Sequence, residues 1–310
     1  MKKLFITIAA VALSASLAFA QDLATVTEIF NNGATALNSG DKVSALASFK
    51  DALAKAEALG EEGAEIVNDC KTHIPNIQFS IAKEQVNNAE YDSAVASLKE
   101  TINIANTYGA AETAEEAADL IPQVLMQKAN SAFNDKDYAT AVEGYNAVLA
   151  EDATNGAAAL RLGAAYNALG KKKEAVAAFE KAIENGQESA AVKQLSNLYL
   201  KDAAADLKAK DYAGAIEAAN NVNKYGENAK AYQIIGQACQ SQGKSAEAIK
   251  NFEKYLSLSP SAANYNSIAF TVAALYQKAG NKAKAKEYYQ KVVNDAKFGA
   301  SAQAQLNALK

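Results

Sequence analysis

Residues 157–182 read AAALRLGAAYNALGKKKEAVAAFEKA, and this stretch decides the fold. Small and apolar residues recur at three- and four-residue steps on both sides of a polar break at Gly170-Lys171. That is the period of two amphipathic helices joined by a short turn. Gly163, Tyr166, Ala175, Phe179 and Ala182 define a spacing: a small residue, then positions three, twelve, sixteen and nineteen further on. Small side chains belong where two helices cross, because a bulky one would hold the backbones apart. The aromatic, four residues after the central alanine, lies one turn along the same face and can fill the gap to a following pair.

The spacing recurs along the chain. Gly33, Ala36, Ala45, Phe49 and Ala52 repeat it, as do Ala129, Ala132, Ala141, Tyr145 and Val148. So do Gly236, Cys239, Ala248, Phe252 and Tyr255, and then Ala273, Tyr276, Ala285, Tyr289 and Val292. Two weaker sets begin at Ala82 (with Ala94, Leu98 and Thr101) and at Ala203 (with Ala215, Ala219 and Val222). Seven antiparallel helix pairs are therefore expected. Their turns are visible at Ser39-Gly40-Asp41, Asn134-Asp135-Lys136-Asp137, Gly170-Lys171, Lys210-Asp211, Gly243-Lys244 and Gly280-Asn281. Glycine or aspartate there ends one helix and caps the next.

The central alanines, at 45, 94, 141, 175, 215, 248 and 285, are separated by 49, 47, 34, 40, 33 and 37 residues. The two long intervals contain Ile74-Pro75 and Ile121-Pro122, each proline nineteen residues before a central alanine. An extended or extra helix is expected before each proline, with the proline as a kink or first-turn residue. The second and third units then read as a local duplication of a longer form. Ala300 to Leu309 reads as a short closing helix, the cap that a terminal repeat requires.

Composition agrees with an all-α chain. Its 310 residues include only three prolines and 16 glycines, with 50% hydrophobic and 21% charged side chains. There is one histidine, His73, one arginine, Arg161, and no tryptophan. Three-histidine zinc sites are excluded, and any nucleophile triad would have to use His73. Lys2-Lys3, the apolar run Leu4 to Leu17, and Ala18-Phe19-Ala20 read as a cleavable export signal ending at Ala20. The apolar run is short for a membrane span, and no later stretch is long enough, so no stable membrane insertion is expected after cleavage. Removing Lys2 and Lys3 takes the net charge from −4 to −6. A nucleic-acid partner is not expected of so acidic a chain. Cys70 and Cys239 are 169 residues apart and read as small buried apolar residues rather than a disulfide.

The repeated pattern resembles the tetratricopeptide repeat family over roughly residues 24 to 299. Residues 157–182 carry its leucine–glycine pair (Leu162, Gly163), tyrosine, central alanine, phenylalanine and closing alanine. Ser259-Pro260 supplies the family's terminal proline once. The family's early tryptophan is missing, and Ala219 stands where an aromatic belongs. The resemblance implies a right-handed superhelical solenoid of antiparallel helix pairs. Its organisation would be a signal at 1–20, longer units at 21–155, shorter units at 156–299 and a cap at 300–310. It also implies that the first helix of each pair lines a concave groove holding a peptide or partner helix. The groove residues carried over are Phe30, Asn38, Phe79, Lys83, Asn87, Met126, Asn130, Asn134, Arg161, Asn197, Lys230, Gln237 and Phe270.

Within that set, Asn38, Asn87 and Asn134 repeat one position. Each either bonds a peptide backbone or merely ends its helix. Phe30, Phe79 and Met126 either anchor apolar ligand side chains or pack beneath the long helices. Motifs for chemistry are weak. Gly243-Lys244-Ser245 lacks the first glycine of a phosphate loop, which would stand at Ala238, and it follows no strand. Lys171-Lys172-Lys173 reads as a solvated turn, and Glu61-Glu62 and Glu115-Glu116 as exposed helix faces. No catalytic group, metal or cofactor is expected. The expectation is a non-enzymatic protein-binding scaffold of the cell envelope, most plausibly periplasmic. The alternatives are a subunit of an envelope assembly or secretion complex, and a glycan-binding or hydrolytic envelope protein.

Overall fold

The computed structural model describes residues 17–309. Fifteen α-helices, one 3-10 helix and no strand are found among them. The expected export signal lies outside the described residues, apart from its last four, which open the first helix. Among the described residues no helix is long and apolar enough to cross a membrane.

Two compact units divide the chain, one ending at Ala178 and one beginning at Phe179. The first contains α1 (Leu17–Ser39), α2 (Lys42–Ala58), α3 (Ala64–Asn87), α4 (Tyr91–Tyr108), α5 (Ala111–Asn134), α6 (Tyr138–Glu151) and α7 (Gly156–Ala168). Helix α8 (Lys172–Glu184) carries the boundary. The second contains α9 (Glu188–Ala209), α10 (Tyr212–Asn223), α11 (Ala229–Ser241), α12 (Ser245–Leu258), α13 (Tyr265–Lys278), α14 (Lys282–Val292) and α15 (Gly299–Ala308). Each unit is a stack of helix pairs, and turns this short force paired helices to run antiparallel.

The turn chemistry is as the sequence implies. Asp41, Asp137, Asp211 and Asn281 each accept the backbone N–H three residues on, satisfying a donor the new helix leaves open. Every central alanine, from Ala45 to Ala285, is fully buried. Gly236 shows why the paired position must be small: a Cβ there would lie 2.6 Å from the ring of Phe252. Where the repeat places a tyrosine instead of phenylalanine, its hydroxyl needs a partner in the core. The Tyr145 hydroxyl donates to Asn130 Oδ1 at 2.8 Å, and that of Tyr289 to Gln277 Oε1 at 2.7 Å.

The prolines sit inside single long helices, Pro75 in α3 and Pro122 in α5, so each extra length is an extension and not a separate helix. The residue after each proline bonds back one turn: Asn76 Nδ2 donates to Thr72 O at 3.0 Å, and Gln123 Nε2 to Asp119 O at 3.1 Å.

Cys70 and Cys239 are free, buried thiols. Burial pushes Cys70 up to about 12, with Asp69 adding to it, and raises Cys239 as well. His73 is half-buried beside the Phe49 ring, 5.9 Å between centroids. Burial lowers its pKa from 6.5, and the nearby Asp69 opposes the shift only in part. Below pH 6.5 the unfolded chain therefore binds a proton before the folded one does, so stability should fall as pH drops through that value. The single imidazole makes the check direct. Its NMR titration midpoint should lie below 6.5, and His73→Gln should remove that part of the pH slope. A midpoint at or above 6.5 would refute it.

Candidate functional site

Helix α3 turns one face inward with Ile66, Cys70, Ile74, Ile77 and Ala82, all buried. Its other face carries Asn68, Thr72, Asn76, Lys83 and Asn87, exposed and spaced four, four, seven and four residues apart. That spacing keeps them on one stripe. The N-terminal half of α5 lies against this stripe. Thr113 Oγ1 donates to Asn76 Oδ1 at 3.0 Å, and the Lys83 ammonium stands 3.5 Å from Glu116 Oε2.

Between the two helices is a cavity of about 380 Å³ lined by Asn76, Phe79, Ser80, Lys83, Glu112, Thr113 and Glu116. Phe79 is only 6% exposed, and the Lys83 ammonium sits 3.7 Å from its ring centroid. Past Asn76 a second hollow of about 380 Å³ continues, lined by Asn68, Lys71, Thr72, Tyr108, Gly109 and Ala110. Lys71 is held by Glu57 of α2 at 3.0 Å. At about 1.5 Å per residue, the stripe from Asn68 to Lys83 is about 22 Å long, the span of roughly seven residues of extended chain. The Lys83–Glu116 pair is half-exposed, and such pairs contribute at most about 1 kcal/mol, so it can open without unfolding anything.

The expected groove residues do not form one surface. Phe79 and Lys83 meet in the cavity, and Asn87 follows one turn on. Asn38, Asn87 and Asn134 are exposed in the last turns of α1, α3 and α5, as helix-ending residues would be. Phe30 corrects the expectation of an exposed anchor. It is fully buried and packs edge-on against Phe49, ring centroids 5.0 Å apart, because Val26, Phe30 and Gly33 form the buried stripe of α1. Phe79 corrects it in the same sense: buried, it serves as a floor rather than a protruding anchor. Asn130 is committed to Tyr145, whose phenol burial raises while Arg161 lowers it. Met126 is half-buried and Arg161 exposed.

In the second unit Asn197 is exposed and Gln237 half-buried. The Lys230 ammonium donates to Gln233 Oε1 at 3.1 Å. Phe270 packs on Tyr289 and Phe298 at 5.3 and 5.5 Å, at the edge of the core. A hollow of about 480 Å³ there is lined by Tyr232, Lys250, Asn251, Glu253, Lys254 and Ser257. Its charges are largely spent: Glu253 accepts from Tyr276 and Tyr288 at 2.7 and 3.0 Å, and Lys254 pairs with Glu227 at 2.6 Å. Burial and Glu253 together push Tyr276 up to about 12.

Asn76, Ser80, Glu112, Thr113 and Glu116 were missed by the sequence reading. Two of them were within reach, since counting back one and two turns from Lys83 gives Ser80 and Asn76. The α5 residues were not, because their place depends on how α3 and α5 pack.

Stacked helix pairs with a polar groove beside the first helices make this a helical-repeat protein. Three tetratricopeptide repeat families match the chain, over residues 132–198, 229–261 and 270–296. No curated protein matches it. Among solved structures, the crystal structure of MamA is 21% identical, covering 59% of this chain and 96% of that one, with a TM-score of 0.35. YrrB, described as a TPR protein with an unusual peptide-binding site, is 20% identical over 58% of this chain and 91% of its own, TM-score 0.32. The P58(IPK) TPR domain is 13% identical over 92% of this chain and 97% of its own, TM-score 0.30.

Proposed function

We propose that the chain is a non-enzymatic interaction scaffold that holds a partner protein by an extended segment laid along α3, opposite the start of α5. One observation carries this: two polar hollows in line along α3 from Asn68 to Lys83, which meet at Asn76, the one toward Lys83 flanked by Glu112, Thr113 and Glu116 of α5. The Asn68 amide and Ser80 hydroxyl can donate to and accept from a peptide backbone whatever its sequence, and Thr72 and Asn76, each already bonded within the protein, keep spare capacity. The repeat-family matches, all of them C-terminal to the groove, support the scaffold reading in general. A photocrosslinking amino acid at Ser80 should capture a partner that the same group at Glu143, on α6, does not. Equal capture at both positions, or none at Ser80, would overturn the groove.

We further propose that it works in the cell envelope, on the ground of residues 1–20, whose basic start, apolar run and Ala18-Phe19-Ala20 have the form of an export signal. Mass spectrometry of the protein from the envelope fraction should give Gln21 as the first residue. A full-length species would refute cleavage.

A further inference from the structure

We infer that the groove between α3 and α5 selects a segment bearing lysine or arginine, and seats its cation over Phe79 between Glu112 and Glu116, where Lys83 now lies. The inference rests on the groove reading above and adds to it the chemistry of the occupant.

Two independent observations point there. One is the balance of charge. Along α3 and α5 stand Glu65, Asp69, Glu84, Glu112, Glu115, Glu116 and Asp119, against Lys71, Lys83 and Lys128. Pairs with other helices take up two of those lysines, Lys71 with Glu57 of α2 and Lys128 with Asp92 of α4, and one of the carboxylates, Glu84 with Lys42 of α2. Among the described residues lining the cavity, Lys83 is then the one cation, with Glu112 and Glu116 on the other helix. An anionic ligand would meet two carboxylates and an ammonium already paired with one of them.

The other observation is that the cavity already holds a cation. The Lys83 ammonium is 3.7 Å from the Phe79 centroid and 3.5 Å from Glu116. A flat ring face and a carboxylate together replace part of the hydration of an ammonium or guanidinium. Lys83 is a stand-in on a flexible stem, and its side chain is 51% exposed, so it can swing out as a partner's cation enters.

The test is fluorescence anisotropy on the full chain with three labelled Gly/Ser heptapeptides, carrying two lysines, two glutamines or two glutamates. The lysine peptide should bind at least tenfold tighter than the glutamate peptide, with the preference shrinking as salt rises. Glu112→Gln with Glu116→Gln should reduce the lysine peptide to the affinity of the glutamine peptide. Glu143→Gln with Glu151→Gln, the same charge change on α6, should leave it unchanged. Lys83→Ala should strengthen lysine-peptide binding severalfold, and circular dichroism checks that each variant stays folded. Equal binding of the three peptides, with crosslinking still confined to Ser80, overturns the cation preference and leaves the groove reading standing. Equal loss from the α6 pair reduces the effect to overall charge and overturns the inference. Binding of none of the peptides, with no crosslinking at Ser80, overturns both.

Discussion

Phe30→Ala should destabilise the unit that ends at Ala178 by about 3–5 kcal/mol, the usual loss for a buried aromatic cut back to a methyl. The ring is fully buried, and its edge contact with Phe49 joins α1 to α2. Edge-to-face pairs contribute about 0.5–1.5 kcal/mol beyond burial. Phe49 also lies against His73 of α3, so the cavity would loosen the junction of three helices. Stability in a repeat array is carried between neighbours, so the damage should be local. Hydrogen exchange should quicken in α1, α2 and α3 and stay unchanged in α11 to α14. Capture at Ser80 per folded molecule should be unaffected, because Phe30 does not line the groove. A loss below about 1 kcal/mol, or weakened capture by fully folded protein, would return Phe30 to the ligand-binding surface.

That residue also shows where sequence reading works and where it stops. Val26, Phe30 and Gly33 recur at helical period on one face of α1, which is information local to that helix. The family resemblance puts Phe30 among the groove residues by analogy with other first helices, and of the two roles open to it, anchor or packing, packing is the one found. The central alanines and the capping aspartates were legible for the same reason, since each answers to contacts inside one helix pair. Prolines 75 and 122 showed that α3 and α5 are long. They could not show that the start of α5 lies beside the part of α3 that follows Pro75, because that depends on packing between pairs. Glu116 therefore read as a solubilising charge, although it faces Lys83 across the cavity. The Tyr145–Asn130 bond lies inside one helix pair, but nothing in the repeat spacing singles out Asn130 as the partner of the phenol.

Gly63→Ala should cost about 2–3 kcal/mol, the upper range of ordinary overpacking. The residue closes the 3-10 turn Gly60–Gly63 between α2 and α3, with φ −87° and ψ −5°, a conformation open to any residue. Backbone preference alone would make alanine mildly stabilising here, by about 0.4–1 kcal/mol, through the unfolded chain. The obstacle is contact: a Cβ on Gly63 would stand 2.1 Å from the carbonyl oxygen of Ala56 and 2.8 Å from its carbon. That oxygen accepts the Leu59 N–H at 3.1 Å, so it belongs to the closing turn of α2 and no side-chain rotation relieves the clash. Only separation of α2 from α3 can. Gly60→Ala is the control, with φ +62° and open space around its Cα. It should cost only the left-handed penalty of about 1 kcal/mol. Urea unfolding of the two variants should therefore rank Gly63→Ala as the more damaging. Because Gly63 fixes where α3 starts, its shift should also misplace Asn76 and Phe79 relative to Thr113 and Glu116, and capture at Ser80 should fall with stability. The reverse ranking would mean that α2 and α3 do not approach this closely, and the groove built on α3 would lose its foundation.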